Sequence, residues 1–323
     1  MLRNKNILIT GAAGFIGSHL TEVLLKSDNH LILIDNFNNY YAGKREQLHE
    51  ILVSTQNHDN YRLIEGDLKN SKIFNGIECE IDMIFHLAAQ AGVRFSIEHA
   101  SEVTHNNILS TINTFEYALN SNCKKVIYAS SSSVYGNPLY TPIDEEHPKN
   151  PISPYAVSKL CGEIYADYYF REYGLPITSL RFYTVYGPRG RPDMAIRKFF
   201  DLMFKDKEIK IFGDGEQLRD FTFVSDIVNG LILSSENETS SGKIFNLGCS
   251  NPITINQLVE KMYKITKKSK KIKYIEKQKG DVEITHSNIE KANQVLNYFP
   301  KMQIDQGLIE QYNWQKSLFN QRL

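Results

Sequence analysis

Two side chains four residues apart, Tyr155 and Lys159, have the chemistry for proton transfer if the fold holds them against a substrate hydroxyl. They lie in the run S-P-Y-A-V-S-K. Ser153 and Pro154 read as a helix N-cap and first helical position, where a missing N–H costs nothing. Tyr155 and Lys159 then stand one turn apart on one helix face. A free tyrosine titrates near about 10, so acting as a base at pH 7 requires a shift of about 3 units, or roughly 4 kcal/mol. A neighbouring ammonium favours the phenolate and supplies part of that. Upstream, Y-A-S-S-S-S-V-Y-G (128–136) ends an apolar run in serines, and Ser131 would complete a Ser–Tyr–Lys set. The Tyr–Lys spacing is common in helices, so its meaning depends on what the chain brings beside it.

Much of the chain alternates strand and helix. Asn6 to Thr10 is a short apolar run of the kind found in buried parallel strands. It leads into Gly11, Gly14 and Gly17, spaced G-x-x-G-x-x-G, and then an amphipathic helix. Glycines there let backbone approach a pyrophosphate, with the helix N-terminus facing its charge. A second strand, His30 to Ile34, ends in Asp35, 18 residues after Gly17. That spacing suits an acid on the adenosine ribose hydroxyls; it would repel a 2′-phosphate, so NAD is expected over NADP. Asn36, not an arginine, follows it.

Further elements continue the pattern. A helix is expected over Lys44 to Leu52 and a strand over Tyr61 to Glu65, ending in Gly66-Asp67-Leu68, where an acid can meet the adenine edge. The next strand, Asp82 to His86, runs into Leu87-Ala88-Ala89-Gln90, small enough for a flat cofactor to pass. A long helix, Val103 to Asn120, carries Asn106 and Asn107 near its start. Strand Lys125 to Ala129 delivers the serines, helix 154–173 stops at Gly174, and Pro176 to Phe182 is a sixth strand. The expected fold class is α/β, a Rossmann-type doubly wound parallel sheet with a smaller C-terminal α/β lobe. Ligands bind such sheets beyond the carboxyl ends of strands, and every feature above lies there. The cofactor-facing set is therefore Gly11, Gly14, Phe15, Ile16, Gly17, Asp35, Asn36, Asp67, Leu68, Leu87, Ala88, Ala89, Gln90 and Asn106, with Tyr155 and Lys159.

After about residue 186 the alternation breaks into helix Ile196 to Lys205, strands Ile209 to Phe212 and Asp220 to Val224, and a terminal helix Gln306 to Lys316. We expect an NAD-binding domain over 1–185, with a later contribution near 220–248, and a second lobe from 186–219 and 249–323. Thr266 to Lys279 holds seven lysines and reads as solvated surface. Lys plus Arg equals Asp plus Glu, at 37 each, so no global field points to nucleic acid or an anionic membrane. Cys79, Cys123, Cys161 and Cys249 are widely spaced and form no metal pattern, as expected of a reduced, cytoplasmic protein. Strand-like sequence begins at Ile7 without a leader-like run before it, and no stretch of about 18 apolar residues predicts a membrane span.

The motifs G-A-A-G-F-I-G, L-A-A-Q-A-G-V-R, S-S-S-S-V-Y-G, Y-A-V-S-K, R-F-Y-T-V-Y-G-P and R-D-F-T-F-V-S-D-I occur in that order. Together they resemble the extended short-chain dehydrogenase/reductase family, specifically its nucleotide-sugar epimerases and dehydratases. The resemblance implies that Tyr155 is the base, and that Lys159 binds nicotinamide ribose and lowers the tyrosine pKa. Ser131 would hydrogen-bond the reacting hydroxyl. It also implies a UDP-sugar substrate and a homodimer formed through paired helices. Departures narrow it. Dehydratases carry Asp-Glu before V-Y-G, and UDP-glucuronate decarboxylases a glutamate; this chain has Ser132 and Ser133. Without that acid and base, what remains is oxidation at C4, rotation of the keto-sugar and hydride return, which is 4-epimerisation.

UDP-galactose 4-epimerases have asparagine where Thr184 stands. The run R-F-Y-T-V-Y-G-P-R-G-R-P-D-M-A, with Ala195 at its end, is similar to that of UDP-glucuronate 4-epimerases, as is Q-x-G-D-V-x-x-T-H-x-N-I (278–289). Ser132, Ser133 and Thr184 would then donate to a C6 carboxylate, which is expensive to bury unpaired. Arg191 and Arg219 are the candidates for the diphosphate; Arg189 is a weaker one, with a solvated loop arginine as the alternative. Lys210-Ile211-Phe212 resembles a uracil-binding segment, and Asp281 a ribose ligand. Arg94 would meet the sugar or phosphate end, or form a structural ion pair. The rivals are a 4-epimerase of UDP-glucose or UDP-N-acetylglucosamine, a net dehydrogenase, and an NAD-sensing protein without turnover.

Overall fold

The computed structural model describes residues 2–55, 60–277 and 282–320. The chain begins β1 (Asn6–Thr10), α1 (Phe15–Leu25), β2 (His30–Asp35), α2 (Lys44–Ser54), β3 (Tyr61–Glu65) and β4 (Met83–His86). It continues α3 (Val93–Glu98), α4 (Ala100–Asn120), β5 (Lys125–Ser131), α5 (Pro154–Tyr173) and β6 (Ile177–Phe182). Then come β7 (Thr184–Tyr186), α6 (Ala195–Phe204), β8 (Ile209–Phe212), β9 (Leu218–Arg219), β10 (Phe221–Phe223), α7 (Val224–Glu236) and β11 (Ile244–Leu247). The last elements are β12 (Ile253–Thr254), α8 (Ile255–Thr266), β13 (Ile272–Ile275), α9 (Glu290–Leu296) and α10 (Ile304–Asn320).

Seven strands form one sheet in the order β11-β6-β5-β4-β1-β2-β3, with every neighbouring pair parallel. The order reverses on either side of β1, the arrangement that opens a crevice at the strand ends. Alternate strand residues serve two cores. Ile7, Ile9, Leu31 and Leu33 pack with α1, α2 and α7 residues such as Leu20, Leu24, Ile51 and Leu231. Leu8, Ile32, Ile84, Val126 and Tyr128 pack with Phe115, Ala118, Ala166 and Tyr169 from α4 and α5. Covering both faces accounts for the unbroken apolar runs of β1, β2 and β5.

Three expectations are corrected. The helix predicted from Val103 begins at Ala100 and follows the separate short helix α3. The predicted strand Asp220 to Val224 is present but shorter, Phe221–Phe223, because Val224 already opens α7 and Asp220 stands before the strand, its carboxylate accepting from the N–H groups of Cys249, Ser250 and Ser287. The terminal helix predicted over Gln306 to Lys316 runs over Ile304–Asn320. The lysine run is solvated as expected, with Lys267, Lys270, Lys271, Lys273 and Lys277 exposed. It contains β13, paired in parallel with β8; Lys268 donates to Met203 O, and Lys271 pairs with Asp206 at 2.6 Å.

Helix α5 lies close on β5 because position 162 is glycine. Tyr128, 1% exposed, fills that space and donates from Oη to Lys159 O at 3.3 Å. A Cβ at Gly162 would overlap the Tyr128 ring and hydroxyl. Gly162→Ala should therefore cost about 1–3 kcal/mol, the usual range for overpacking, read as a lower urea midpoint at unchanged slope. An unchanged midpoint would show that α5 is not held at this distance.

Candidate active site

The N-cap expected for α5 is present: Ser153 Oγ accepts from Ala156 N at 3.2 Å, Pro154 opens the helix, and Gly174 closes it in the left-handed region. That start sets the rotation of α5 over β5, and three consecutive strand residues engage it. Lys159 Nζ donates to Ala129 O at 2.7 Å. Ser130 Oγ donates to Glu163 Oε1 at 2.5 Å. Ser131 ends β5 close enough to Tyr155 to pull its phenol down. Beyond β5 the chain turns into a 3₁₀ turn capped by Ser131, whose Oγ accepts from Ser133 N (3.2 Å) and donates to Ser133 Oγ (3.1 Å). Ser132 lies in the same turn.

Burial dominates the electrostatics. It raises the Tyr155 phenol, against a downward pull from the Arg191 charge and the Ser131 hydrogen bond. That corrects one expectation: Lys159 is not what lowers the tyrosine in this structure. Its ammonium is turned to Ala129 O, 5.1 Å above the centre of the Tyr128 ring. Burial drops the Lys159 amine from 10.5 to about 7, with Glu163 opposing the drop. His86, beneath it on β4, is pushed down to about 3 by burial and bridges Thr10 and Thr111 as a neutral ring. The Lys159 shift has a measurable consequence. Between about pH 7 and 10.5 the unfolded chain holds a proton at Lys159 that the folded chain has released. Unfolding free energy must rise with pH over that window. Wild-type protein without cofactor should thus gain stability over Lys159→Met as pH rises through it, measured by urea titration. A constant difference would mean that the amine is not depressed.

The opposite end of the same cleft fits a dinucleotide. Gly11 has φ +71°, and a Cβ there would lie 2.8 Å from Ala88 N, so this backbone turn stays bare toward the cleft. The Asp35 carboxylate clamps the turn: Oδ2 accepts from Ala13 N at 3.0 Å and Oδ1 from Phe37 N at 2.8 Å. Gly14, Phe15, Ile16, Gly17, Asn36, Asp67, Leu68, Leu87, Ala88, Ala89, Gln90 and Asn106 line the cleft between Asp35 and the Tyr155–Lys159 pair. Glycine backbone at one end, a buried acid beside it and a proton-transfer pair at the other are what NAD needs. Sequence reasoning missed Tyr40, Tyr41 and Lys44, which line the same cleft after β2. The aromatic and basic letters of N-N-Y-Y-A-G-K were the available signal. It also missed the work of Asn107, which accepts from Gln90 N (2.7 Å) and donates to Ser158 Oγ (2.9 Å), tying the loop after β4 to α5.

The remaining candidates are spread more widely. Arg191 lines the cleft and forks onto Asp193 through Nε (3.0 Å) and Nη2 (2.9 Å), while Tyr40 Oη donates to the same carboxylate at 3.3 Å. Thr184 opens β7 and Ala195 opens α6. Arg94 stacks on Phe212 at 4.8 Å, joining α3 to β8. The uracil-segment expectation is narrowed: Lys210 points to solvent and Ile211, 1% exposed, belongs to the core, so Phe212 is the side chain turned to Arg94. Arg219 donates to Leu218 O (2.8 Å) and Glu283 O (3.1 Å). Arg189 is not simply solvated, since it pairs with Glu22 of α1 at 2.7 Å. Asp281 lies outside the described residues.

Comparison with known proteins bears on this geometry. The model of the NAD dependent epimerase/dehydratase family matches residues 7–248. UDP-glucuronate 4-epimerase of Thermodesulfobacterium geofontis is 38% identical over 314 residues, covering 96% of this chain and 95% of that protein. The crystal structure of UDP-glucuronic acid 4-epimerase from Bacillus cereus, in complex with UDP-glucuronic acid and NAD, matches with a TM-score of 0.90 at 35% identity, over 97% of this chain and 99% of that one. UDP-N-acetylglucosamine 4-epimerase from Methanobrevibacter ruminantium, in complex with UDP-N-acetylmuramic acid, matches with a TM-score of 0.90 at 33% identity, over 98% and 100%. With the family's motifs set along one cleft of a seven-stranded parallel sheet, the chain belongs to the NAD dependent epimerase/dehydratase family.

Proposed function

We propose that this chain interconverts UDP-glucuronate and UDP-galacturonate by epimerisation at C4. The broader statement, an NAD-dependent isomerase acting on a UDP-sugar, follows from the family and the cleft. The observation that carries the narrower one is the end of β5. Ser131 reaches Tyr155, Ser131 and Ser133 are hydrogen-bonded to each other, and positions 132 and 133 hold hydroxyls where elimination or decarboxylation chemistry would need carboxylates.

In this reading Tyr155 takes the C4 hydroxyl proton, Ser131 hydrogen-bonds the same oxygen, and Lys159 holds the nicotinamide ribose. Bound NAD supplies the acceptor, and then the donor, of the C4 hydride. Returning it to the other face of a rotated 4-keto sugar inverts C4 with no net redox change. That keto-sugar is a β-keto acid, prone to lose CO2 if its carboxylate is desolvated or twisted. Ser132, Ser133 and Thr184 are neutral donors that hold the carboxylate solvated. Arg191 and Arg219 take the diphosphate, Phe212 the uridine end, Arg94 the sugar or phosphate end, and Asp281 the ribose. Residues 1–185 with 220–248 form the NAD domain, and 186–219 with 249–323 the sugar-nucleotide lobe.

Among the described residues no helix is long and apolar enough to cross a membrane. We place the enzyme in the cytoplasm, feeding surface polysaccharide synthesis. Val157, Ile164, Tyr165 and Tyr168 leave α5 with an exposed apolar face, which we assign to a homodimer.

Purified protein should convert UDP-glucuronate, and neither UDP-glucose nor UDP-N-acetylglucosamine, to its C4 epimer without added reductant, identified by NMR. Conversion of the neutral sugars alone would overturn the assignment in favour of the neutral-sugar reading. Tyr155→Phe should lower kcat by about 10²–10⁴, the range for removing a general base, with substrate affinity retained. Ser133→Ala or Thr184→Ala should raise a UDP-pentose by-product or weaken UDP-glucuronate binding. Unchanged kinetics with no by-product would remove these hydroxyls from the carboxylate site.

A further inference from the structure

The carboxyl end of the sheet carries a buried polar row one residue below Ser131. In register, Ser130 on β5 is opposite Arg181 on β6, and Arg181 is opposite Asn246 on β11. Their exposures are 2%, 0% and 0%. Glu163, one turn past Lys159 on α5, closes onto this row. Its Oε1 accepts from Ser130 Oγ (2.5 Å) and Arg181 Nε (2.8 Å), and its Oε2 from Arg181 Nη2 (2.6 Å). Arg181 Nη1 continues to Tyr135 Oη (2.7 Å) and Glu145 O (3.2 Å), and Tyr135 Oη donates to Asn246 Oδ1 (2.7 Å). Glu145 Oε1 completes the set by accepting from Asn246 N at 2.7 Å.

Proton transfer uses none of these side chains directly, and stability is a poor reason for them. A buried ion pair is often matched or bettered by apolar residues of the same volume. Geometry gives a better one. Ala129 and Ser130 hydrogen-bond Lys159 and Glu163, and Ser131 follows them on β5 as Tyr155 precedes Lys159 on α5, so a slip of β5 against α5 at either contact shifts Ser131 relative to Tyr155. We propose that Glu163, held in place by Arg181, is a positioning residue for the reaction: through Ser130 it sets Ser131 against Tyr155, and it faces the Lys159 ammonium from the adjacent turn. This rests on the reading of Ser131, Tyr155 and Lys159 as the reacting set.

Around Lys159, burial disfavours the ammonium and Glu163 is the charge that favours it. Arg181 is the cation paired with Glu163, His86 on β4 is neutral, Tyr128 on β5 offers a ring face, and Tyr155 on α5 is a neutral phenol.

Two variants separate this role from bulk stability. Ser130→Ala leaves the ion pair intact and cuts its tie to β5. A misplacement of about 1 Å can cost roughly 100-fold in rate, and we expect about a tenfold fall in kcat for Ser130→Ala, with KM and melting temperature nearly unchanged. The neutral pair Glu163→Leu with Arg181→Met removes both charges together. Its alkaline limb of kcat should move to lower pH, and the Lys159 Nζ resonance, followed by NMR in ¹⁵N-lysine-labelled protein without sugar, should titrate below the wild-type midpoint. Wild-type kcat in Ser130→Ala overturns the alignment, and an unmoved Nζ midpoint overturns the electrostatic part. If the double variant fails to fold, Ser130→Ala decides alone. A wild type that converts no UDP-sugar refutes the proposed function, while the Nζ titration still tests the contact with Lys159.

Discussion

The hydrogen bond from Lys159 Nζ to Ala129 O is the contact on which the site depends. An ammonium in a dry interior is expensive unless it is paired or hydrogen-bonded. Here the cost appears as an amine brought down to about 7, at the edge of losing its proton. The carbonyl that holds it belongs to the strand carrying Ser131, and the lysine to the helix carrying Tyr155. One bond therefore couples the charge state of the site to its alignment. Gly162 lets α5 approach Tyr128 closely enough for that bond to form.

The cofactor end is built by the same logic on other strands. In a parallel sheet all carboxyl ends face one way, so Gly11 after β1, Asp35 ending β2, the small residues after β4 and Ser131 ending β5 share one crevice. Each is then fixed by a neighbour: Asp35 by backbone N–H groups on both sides, and the loop after β4 by Asn107. The rigid parts face the cofactor. Elsewhere the contacts are side chain to side chain: Arg191 with its near neighbour Asp193, and Arg94 of α3 with Phe212 of β8, distant in sequence.

What was legible in the sequence was local. The glycine turn, the Ser153–Pro154 helix start, the Gly174 stop and the apolar strands all follow from the chemistry of a few adjacent residues. What was not legible depended on register between distant strands. Ser130, Arg181 and Asn246 are unremarkable as letters; only pairing of β5 with β6 and β6 with β11 puts them in one row. The anchoring of Asp220 was hidden because its partners, Cys249, Ser250 and Ser287, come from far along the chain. The direction of the Tyr155 shift failed for a related reason. Helical spacing put Lys159 near Tyr155, but the ammonium went to the strand carbonyl, leaving Arg191 and Ser131 to oppose burial.

The electrostatics of Arg191 bear on which sugar the cleft prefers. Its Nε and Nη2 are committed to Asp193, so the pair is close to neutral and the Nη1 edge is what remains to meet a ligand. A bare guanidinium would hold any anion strongly, whether diphosphate or sugar carboxylate, and would discriminate poorly between them. A neutralised one, taken with the hydroxyls proposed to meet the sugar carboxylate, instead supplies hydrogen-bond donors with little net charge. In the proposed reaction such donors suit a carboxylate that must stay solvated through a β-keto acid stage. Tight pairing to a cation in a dry pocket would not provide that. A neutral C6 hydroxymethyl group would gain less from the same donors, since it brings its own donor to a surface already rich in donors. The proposed preference for an acidic sugar therefore rests on hydroxyls, Ser132 and Ser133, standing where elimination or decarboxylation would need acids.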